Sequence, residues 1–209
     1  MTKRPEPNRH VLNLGLMKIR LVSASGLLFF CFQQTHLSSP RRTGFSGVIL
    51  IKSMITIQRP GQEPLEIDFI LIDFEGTLAS ERRVHPKAKD KINLLSKRAK
   101  IYILTKEGKE RVEEVLKKVK AEIIYLTEGE SSQKKLDLLR QLGATGTVAI
   151  GNGVDDGPMI EEAGLGVCVI GKEGVSAKAV KNADVVFTDI LDALDFLLKP
   201  LRQKTTLGK

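Results

Sequence analysis

Polar side chains that suit phosphoryl transfer follow three apolar segments of this chain. Asp73 and Glu75 follow the first segment, Thr105 follows the second, and an acidic loop at residues 152–156 follows the third. Lys135 lies between the second and third segments, near the start of a helical pattern. In a sheet of parallel strands, groups that follow the strands gather at one edge. We therefore expect these residues to lie close together.

These residue types fit the separate tasks of one reaction. Asp73 is a carboxylate that can attack phosphorus and form an aspartyl-phosphate. A hard cation such as Mg²⁺ would neutralise the charge between the two acidic loops. Thr105 and a lysine would hold the phosphoryl oxygens. None of these groups is specific alone, but the four in this order indicate phosphoryl transfer.

The segments around these residues predict an α/β domain. Residues 69–72 are a continuous apolar run, typical of a strand buried on both faces, and Gly76 allows a sharp turn after it. Further strands are predicted at residues 101–104, 123–126, 147–150, 166–170 and 184–187. Helices are predicted at residues 86–95, 106–118, 132–142, 175–180 and 190–198. A further helix is predicted to contain Met159 and Ala163. This alternation predicts a mainly parallel sheet.

The chain divides into three predicted regions. Residues 54–199 form the domain, which begins with a small hairpin whose turn is at Pro60 and Gly61. Residues 200–209 are a basic C-terminal tail: Pro200 ends the last helix, and residues 204–209 are expected to fray. Residues 1–53 are a basic extension without periodicity.

The extension has two explanations. Residues 26–32 resemble the apolar part of a signal peptide, but no small-residue cleavage site follows them. The favoured alternative is that translation starts at Met54, so that the upstream residues are a misassigned start or a disordered tail. The extension holds 8 of the 33 Lys and Arg and 1 of the 25 Asp and Glu, which is +7 of the chain's net charge of +8.

The composition excludes several classes of protein. Because the domain itself is nearly neutral, the net charge does not indicate a nucleic-acid partner. Cys31 and Cys168 lie far apart in sequence, so no disulfide framework or cysteine metal site is predicted, and a reducing, cytoplasmic location is the expectation. No apolar run reaches the roughly 18–20 residues that a membrane helix requires.

Four stretches of the chain, in order, resemble the motifs of the haloacid dehalogenase (HAD) superfamily. Asp73-Phe-Glu-Gly-Thr77 resembles hhhDxDGT, residues 101–105 resemble the strand that ends in Thr or Ser, Lys135 resembles the lysine of the third motif, and residues 151–156 resemble GDGxND. Residues 183–186 also resemble P-type ATPase phosphorylation domains. The closest likeness is to the soluble P-type-ATPase-like branch, which implies a three-layer α/β/α Rossmann-like core.

The resemblance also implies roles for individual residues. Asp73 would be the nucleophile, with Glu75, Thr105 and Lys135 as its catalytic partners. Phosphoryl and substrate binding would fall to Thr105 and Lys135, and to Gly76 and Thr77 of the nucleophile loop. Mg²⁺ would be held by Asp73, the main-chain carbonyl of Glu75, and residues of the fourth motif, namely Asn152, Asp155 and Asp156.

Two departures from the family pattern bear on turnover. Glu75 stands where phosphatases carry an aspartate that protonates the leaving group, and acid–base catalysis depends on geometry. Asn152 stands where an aspartate is usual, and Asp155 stands where an asparagine is usual. These departures keep a second hypothesis open, a catalytically attenuated phosphate- or metal-binding module with a regulatory role.

The spacing of the motifs leaves no room for a cap domain. Residues 78–104 and residues 106–134 each accommodate one helix and one strand. An open site suits a macromolecular phosphorylated substrate, or a homo-oligomer in which a neighbouring copy covers the site. The hairpin at residues 54–65 is the only local cover that the sequence predicts.

Overall fold

The computed structural model describes strands at residues 11–14, 17–24 and 27–33 and the continuous stretch of residues 54–208. The chain divides into two units, Met1–Ile49 and Leu50–Lys209. In the first, strands β1 (Val11–Leu14), β2 (Met17–Ala24) and β3 (Leu27–Gln33) form an antiparallel sheet in that order. Sequence analysis assigned no strand to this region. Residues 34–53 lie outside the described part, and the proposed extension stays a prediction.

The second unit alternates strands with helices, as the sequence predicts. Its strands are β4 (Ile55–Ile57), β5 (Leu65–Ile67), β6 (Phe69–Asp73), β7 (Ala79–Ser80), β8 (Arg83–Val84), β9 (Lys100–Thr105), β10 (Glu122–Tyr125), β11 (Thr147–Gly151), β12 (Leu165–Val169) and β13 (Val185–Phe187). Its helices are α1 (Pro86–Leu95), α2 (Lys109–Val115), α3 (Ser131–Leu142), α4 (Gly157–Glu162), α5 (Ala177–Asn182), α6 (Ile190–Leu198) and α7 (Pro200–Leu207), with a 3₁₀ turn at Ala144–Gly146.

A six-stranded sheet forms the centre of this unit. The strand order is β10-β9-β6-β11-β12-β13, and every neighbouring pair is parallel. This confirms the predicted parallel sheet. Since β6 lies between β9 and β11, the three strands that precede the predicted site residues end side by side at the carboxyl edge of the sheet.

Helices cover both faces of the sheet, which explains the continuous apolar run in β6. Ile70 and Ile72 face one layer of the core, Leu71 faces the other, and all three are fully buried. The first layer contains residues of α1, α2 and α6, and the second contains residues of α3, α4 and α5. The longest helix in the described part, α3, has 12 residues, too few for the roughly 20 that a bilayer span requires.

The predicted N-terminal hairpin forms, but it lies away from the site. Its strands β4 and β5, here called the amino-edge hairpin, bury Ile57 and Ile67 completely in the core. The backbone amide of Asp68, just after β5, donates to the carbonyl of Gly146, which directly precedes β11. The hairpin therefore lies at the amino edge of the sheet. The expectation that it covers the site was wrong, because the site residues lie at the opposite edge.

The C-terminal residues form a helix where a frayed tail was predicted. Pro200 ends α6 as expected, but a proline also fits the first turn of a new helix, and α7 begins there. Gln203 is 1% exposed, and its side-chain amide donates to the carbonyl of Phe196 at 2.9 Å. This contact holds α7 against α6, and the tail was mispredicted because a single buried glutamine has no sequence signature.

Candidate active site

Asp73 lies at the carboxyl end of β6 and is buried. It pairs across the sheet with Leu104, so Thr105 lies one residue further along the same edge. The chain then turns at Gly76, whose φ is 73°. A Cβ atom there would come within 2.6 Å of the Asn152 side chain. Gly76 is therefore needed for the turn itself and for the close approach of the two loops.

Lys135 connects the two acidic loops, as expected from its position between them in sequence. Its ammonium group donates to Asp73 Oδ1 at 2.6 Å and to Asp156 Oδ1 at 2.7 Å. Only 1% of Lys135 is exposed. Burial opposes its charge, but the charges of Asp73 and Asp156 outweigh burial and raise the pKa of Lys135 above its usual range. The lysine is therefore a buried ammonium group that holds the nucleophile.

The negative charge around Asp73 is only partly compensated. Burial raises the pKa of Asp73 well above its usual value, and the carboxylate of Asp156 raises it further, while Lys135 acts in the opposite direction. Two buried carboxylates thus share one buried ammonium group. An additional cation next to Asp73 would stabilise its ionised form, which is the form that attacks phosphorus.

Asp156 organises the loop that follows β11. Its Oδ2 accepts hydrogen bonds from the backbone amides of Asn152 at 3.0 Å and Gly153 at 2.8 Å, while Oδ1 accepts from Lys135. A Cβ atom at Gly151 would come within 2.5 Å of the Asp156 side chain. Both oxygens of Asp156 are therefore engaged by donors of the protein, which shapes the loop and fixes Lys135.

Asn152 ties the nucleophile loop to the rest of the carboxyl edge. Its Oδ1 accepts from the Thr77 hydroxyl at 3.1 Å, and its Nδ2 donates to the carbonyl of Gly174 at 3.2 Å. The Thr77 hydroxyl is therefore used within the protein, in support of the loop that carries Asp73. The amide oxygen of Asn152 keeps a second lone pair for a further ligand.

Asp155 takes part in a charge network that sequence analysis did not foresee. It accepts from the hydroxyl of Ser131 at 2.7 Å and from the ammonium group of Lys106 at 3.1 Å, and Lys135 lies 3.7 Å away. Burial opposes the charge of Asp155, but these three groups lower its pKa to about 2. The missed signals were the i, i+4 spacing of Ser131 and Lys135 and the position of Lys106 directly after Thr105.

Glu75 reaches across the site to the residues that follow β9. Its Oε1 accepts from the Thr105 hydroxyl at 2.5 Å and from the backbone amides of Lys106 at 2.9 Å and Glu107 at 3.0 Å. Its Oε2 is buried and has no hydrogen-bond partner among the described residues. Helix α2 begins at Lys109 and not at Lys106 as predicted, and the amides of Lys106 and Glu107 lie in the loop before it.

The donors around Asp73 fit a hard cation. Within residues 54–208, no group of three or more His, Cys, Asp and Glu side chains is arranged to hold a metal ion. A site for Mg²⁺ would combine the Asp73 carboxylate with the main-chain carbonyl of Glu75 and the amide oxygen of Asn152. The other two predicted ligands, Asp155 and Asp156, accept hydrogen bonds from Ser131, Lys106, Lys135 and the loop amides, and their role as metal ligands stays a prediction. Excess negative charge and hard oxygen donors are what Mg²⁺ requires, and substrate oxygens commonly complete such sites.

A second hairpin, absent from the sequence prediction, lies at the carboxyl edge of the sheet. Strands β7 and β8, here called the carboxyl-edge hairpin, are joined by Glu81 and Arg82, whose φ values are 49° and 64°. The amide of Glu81 donates to the Glu173 side chain at 2.9 Å, and Arg82 lies 3.7 Å from Glu107. These contacts attach the hairpin to the loops after β12 and β9.

The carboxyl-edge hairpin borders an open cavity of about 480 Å³ next to the nucleophile loop. Its lining includes Gly76, Thr77, Ser80, Gly171 and Asp189. Asp73, Thr105 and Lys135 are not among its lining residues, so this cavity lies beside the reactive groups and does not contain them.

Comparison with known proteins places the fold. The 3-deoxy-D-manno-octulosonate 8-phosphate phosphatase of Moraxella catarrhalis, solved with magnesium, phosphate and KDO, is 15% identical at a TM-score of 0.53, over 64% of this chain and 87% of that one. The cobalt-bound phosphatase of Haemophilus influenzae is 17% identical with a TM-score of 0.53, over 68% of this chain and 90% of that one. A Legionella pneumophila structure assigned to HAD subfamily III A is 19% identical with a TM-score of 0.54, over 68% of this chain and 86% of that one.

Sequence comparison reaches less far. An uncharacterized protein of Methanocaldococcus jannaschii is 49% identical over 59 residues, which are 28% of this chain and 63% of the relative. The chain thus spans less than two thirds of the length of that curated relative. No family model matches the chain.

The chain shares the fold of these solved phosphatases, which confirms the predicted fold. The segments between the motifs contain only the carboxyl-edge hairpin and the elements α1, β9, α2 and β10, so neither holds a cap domain. The narrower likeness to the P-type-ATPase-like branch stays a prediction.

Proposed function

We propose that the protein is a Mg²⁺-dependent phosphohydrolase that works through an aspartyl-phosphate on Asp73. The observation that carries this proposal is the position of Asp73, buried at the carboxyl edge and held by Lys135 at 2.6 Å. A buried lysine at this distance fixes the carboxylate and neutralises charge that develops on a phosphoryl group. The HAD phosphatase fold of the chain supports the same conclusion.

In the proposed reaction, an Asp73 oxygen forms a bond to phosphorus while the bond from phosphorus to the leaving oxygen breaks. Glu75 donates a proton to the leaving oxygen and then takes a proton from the water that hydrolyses the acyl-phosphate. Thr105 and Lys135 hold the phosphoryl oxygens. Mg²⁺, held by Asp73, the Glu75 carbonyl and Asn152, supplies charge neutralisation when bound.

A panel of phosphate monoesters, assayed with and without Mg²⁺, tests this function. Asp73→Asn removes the nucleophile and keeps the shape of the side chain, so we expect turnover to fall to background. Asp90→Asn, the same change at an exposed site on α1, is the matched control and should retain activity. A wild-type protein without Mg²⁺-dependent turnover on any ester would contradict the proposal.

A second candidate function is an attenuated phosphate- or metal-binding module. It is favoured by the Glu75 carboxylate, which occupies the donors at Thr105, and by Asn152 in place of an acid. The double variant Glu75→Asp with Asn152→Asp separates the two functions. A large gain in turnover would show attenuated chemistry, whereas an efficient wild-type enzyme would rule out the module.

The substrate is proposed only as a class, a phosphorylated compound. Because the site has no cap domain, it is open to a macromolecular substrate, and a second copy of the chain is a further candidate cover. Sedimentation velocity of the full chain distinguishes a monomer from a homo-oligomer. Activity on a phosphorylated protein compared with small phosphate esters tests the macromolecular substrate.

A further inference from the structure

A carboxylate of the protein itself fills an anion-binding position at the end of β9. Three donors, the Thr105 hydroxyl and the backbone amides of Lys106 and Glu107, converge on one oxygen of Glu75 at 2.5, 2.9 and 3.0 Å. Successive amides that point to one spot form a concave site for an anion. The Glu75 carboxylate meets this demand in the structure.

One of these donors, the Thr105 hydroxyl, is also a group that the proposed reaction gives to the phosphoryl oxygens. Thr105 lies next to Asp73 along the carboxyl edge, and a phosphoryl oxygen near Asp73 would need the hydroxyl that Glu75 now occupies. The two anions cannot share this position, because both are negatively charged and use the same hydrogens. Phosphate therefore binds only when the Glu75 side chain leaves.

We propose that Glu75 is an internal competitor that sets the phosphate affinity of the site. The inference rests on the proposed function, since it concerns the same phosphoryl position. It also explains the departure from the usual aspartate: glutamate is longer by one methylene, about 1.5 Å, and this length lets its carboxylate reach the amides beyond Thr105.

The occupied state of Glu75 is incompletely satisfied, which makes displacement feasible. Oε2 is buried without a partner among the described residues, and a buried acceptor without a donor is unfavourable. Asp73 and Glu75 also repel each other as like charges. A phosphoryl group that receives the three donors and also contacts Lys135 would replace these unfavourable features with new hydrogen bonds. The released Glu75 is then free for acid–base catalysis.

Calorimetric titration of the full chain with inorganic phosphate, at fixed Mg²⁺, tests the inference. Glu75→Asp shortens the side chain and Glu75→Ala removes it, so both should bind phosphate about tenfold more tightly than wild type, as expected when a charge-assisted competitor is lost. Glu75→Gln keeps the length without the charge and should lie between them and wild type. Glu66→Ala, at an exposed position of the amino-edge hairpin, is the control of equal charge change and should bind as wild type does.

Kinetics provide a second measurement. Loss of the competitor lowers KM, whereas loss of the acid lowers kcat, so Glu75→Ala should lower both. A purely structural role of Glu75 would not produce a lower KM in a variant whose thermal unfolding shows it to be folded.

The two proposals fail in different ways. If Glu75→Asp and Glu75→Ala are folded and bind phosphate no better than wild type, the internal competitor is overturned and the phosphohydrolase proposal stands. If neither wild type nor any Glu75 variant binds phosphate, the internal competitor is overturned, and if wild type also shows no Mg²⁺-dependent turnover on any ester, the phosphohydrolase proposal fails with it.

Discussion

Two short hairpins lie at opposite edges of the central sheet, and they differ in the residues that form them. The amino-edge hairpin buries Ile55, Ile57 and Ile67 with 2% exposure or less. The carboxyl-edge hairpin turns through Glu81 and Arg82, two charged, exposed residues in the left-handed region. Both hairpins contribute to the core, since Ala79 and Val84 are also buried there, but of the two only the carboxyl-edge hairpin turns through charged residues with positive φ.

This comparison shows which edge contributes to the free energy of unfolding and which edge lowers it. Burying an isoleucine side chain is worth about 1.5–3 kcal/mol, and the amino-edge hairpin makes no contact with the reactive groups. A residue in a sparsely populated backbone region costs about 1–3 kcal/mol, and such residues persist at the carboxyl edge because other contacts hold them. The same edge contains the buried charges of Asp73, Lys135 and Asp156.

The largest expected effect is at the buried charges. Lys135→Met removes the ammonium group and leaves Asp73 and Asp156 buried and uncompensated, so the free energy of unfolding should fall by about 3–5 kcal/mol. Urea denaturation measures this loss, and turnover should be abolished. Lys87→Met, at an exposed position of α1, is the control and should change neither. A stable Lys135→Met variant would show that the carboxyl edge does not depend on this lysine.

A core substitution at the amino edge should cost stability without changing the chemistry. Ile57→Ala leaves a cavity in a fully buried position, which should lower the free energy of unfolding by about 2–5 kcal/mol. At temperatures where the variant is folded, kcat/KM should equal that of wild type. Thr56→Ala, one residue away and exposed, is the control. A lower kcat/KM in folded Ile57→Ala would mean that the two edges are not independent.

The smallest expected effect comes from relieving the same kind of backbone strain at each of the two edges. Arg82 and Lys118 have φ values of 64° and 69°, and Lys118 lies in the loop that leads to the start of β10. Glycine at either position relieves the strain, so Arg82→Gly and Lys118→Gly should each stabilise the fold by about 0.5–1 kcal/mol. Only Arg82→Gly should lower kcat/KM, because it removes the contact of Arg82 with Glu107, whose amide donates to Glu75. If both variants have the same kcat/KM, the turn at Glu81 and Arg82 has no role in activity.

The sequence predicted the elements that depend on local pattern. The strand Phe69–Asp73 and the helix Ile190–Leu198 occur where their apolar spacing places them. The carboxyl-edge hairpin was missed because its strands have two residues each and its turn, Glu81-Arg82, lacks the Asn-Gly or Asp-Gly signal of tight turns. Its shape depends on contacts with residues distant in sequence, such as Glu173.

The candidate site shows the same division. Asp73 and Thr105 were predicted together because parallel strands bring their carboxyl ends to one edge. Lys135 was predicted to join them because it lies near the start of the helix that follows in the chain. Ser131 and Lys106 were missed, since their bonds to Asp155 depend on the relative positions of three loops.

By itself, the sequence determined the α/β class, the order of the motif residues and the edge of the sheet where they meet. These follow from apolar periodicity and from the polar residues that end each strand. Only the tertiary structure decided how each carboxylate is used: Asp156 on the loop amides, Asp155 on Ser131, and Glu75 on the donors at Thr105. The physical reason is that a hydrogen bond depends on distances of a few tenths of an ångström, which packing sets and residue order does not.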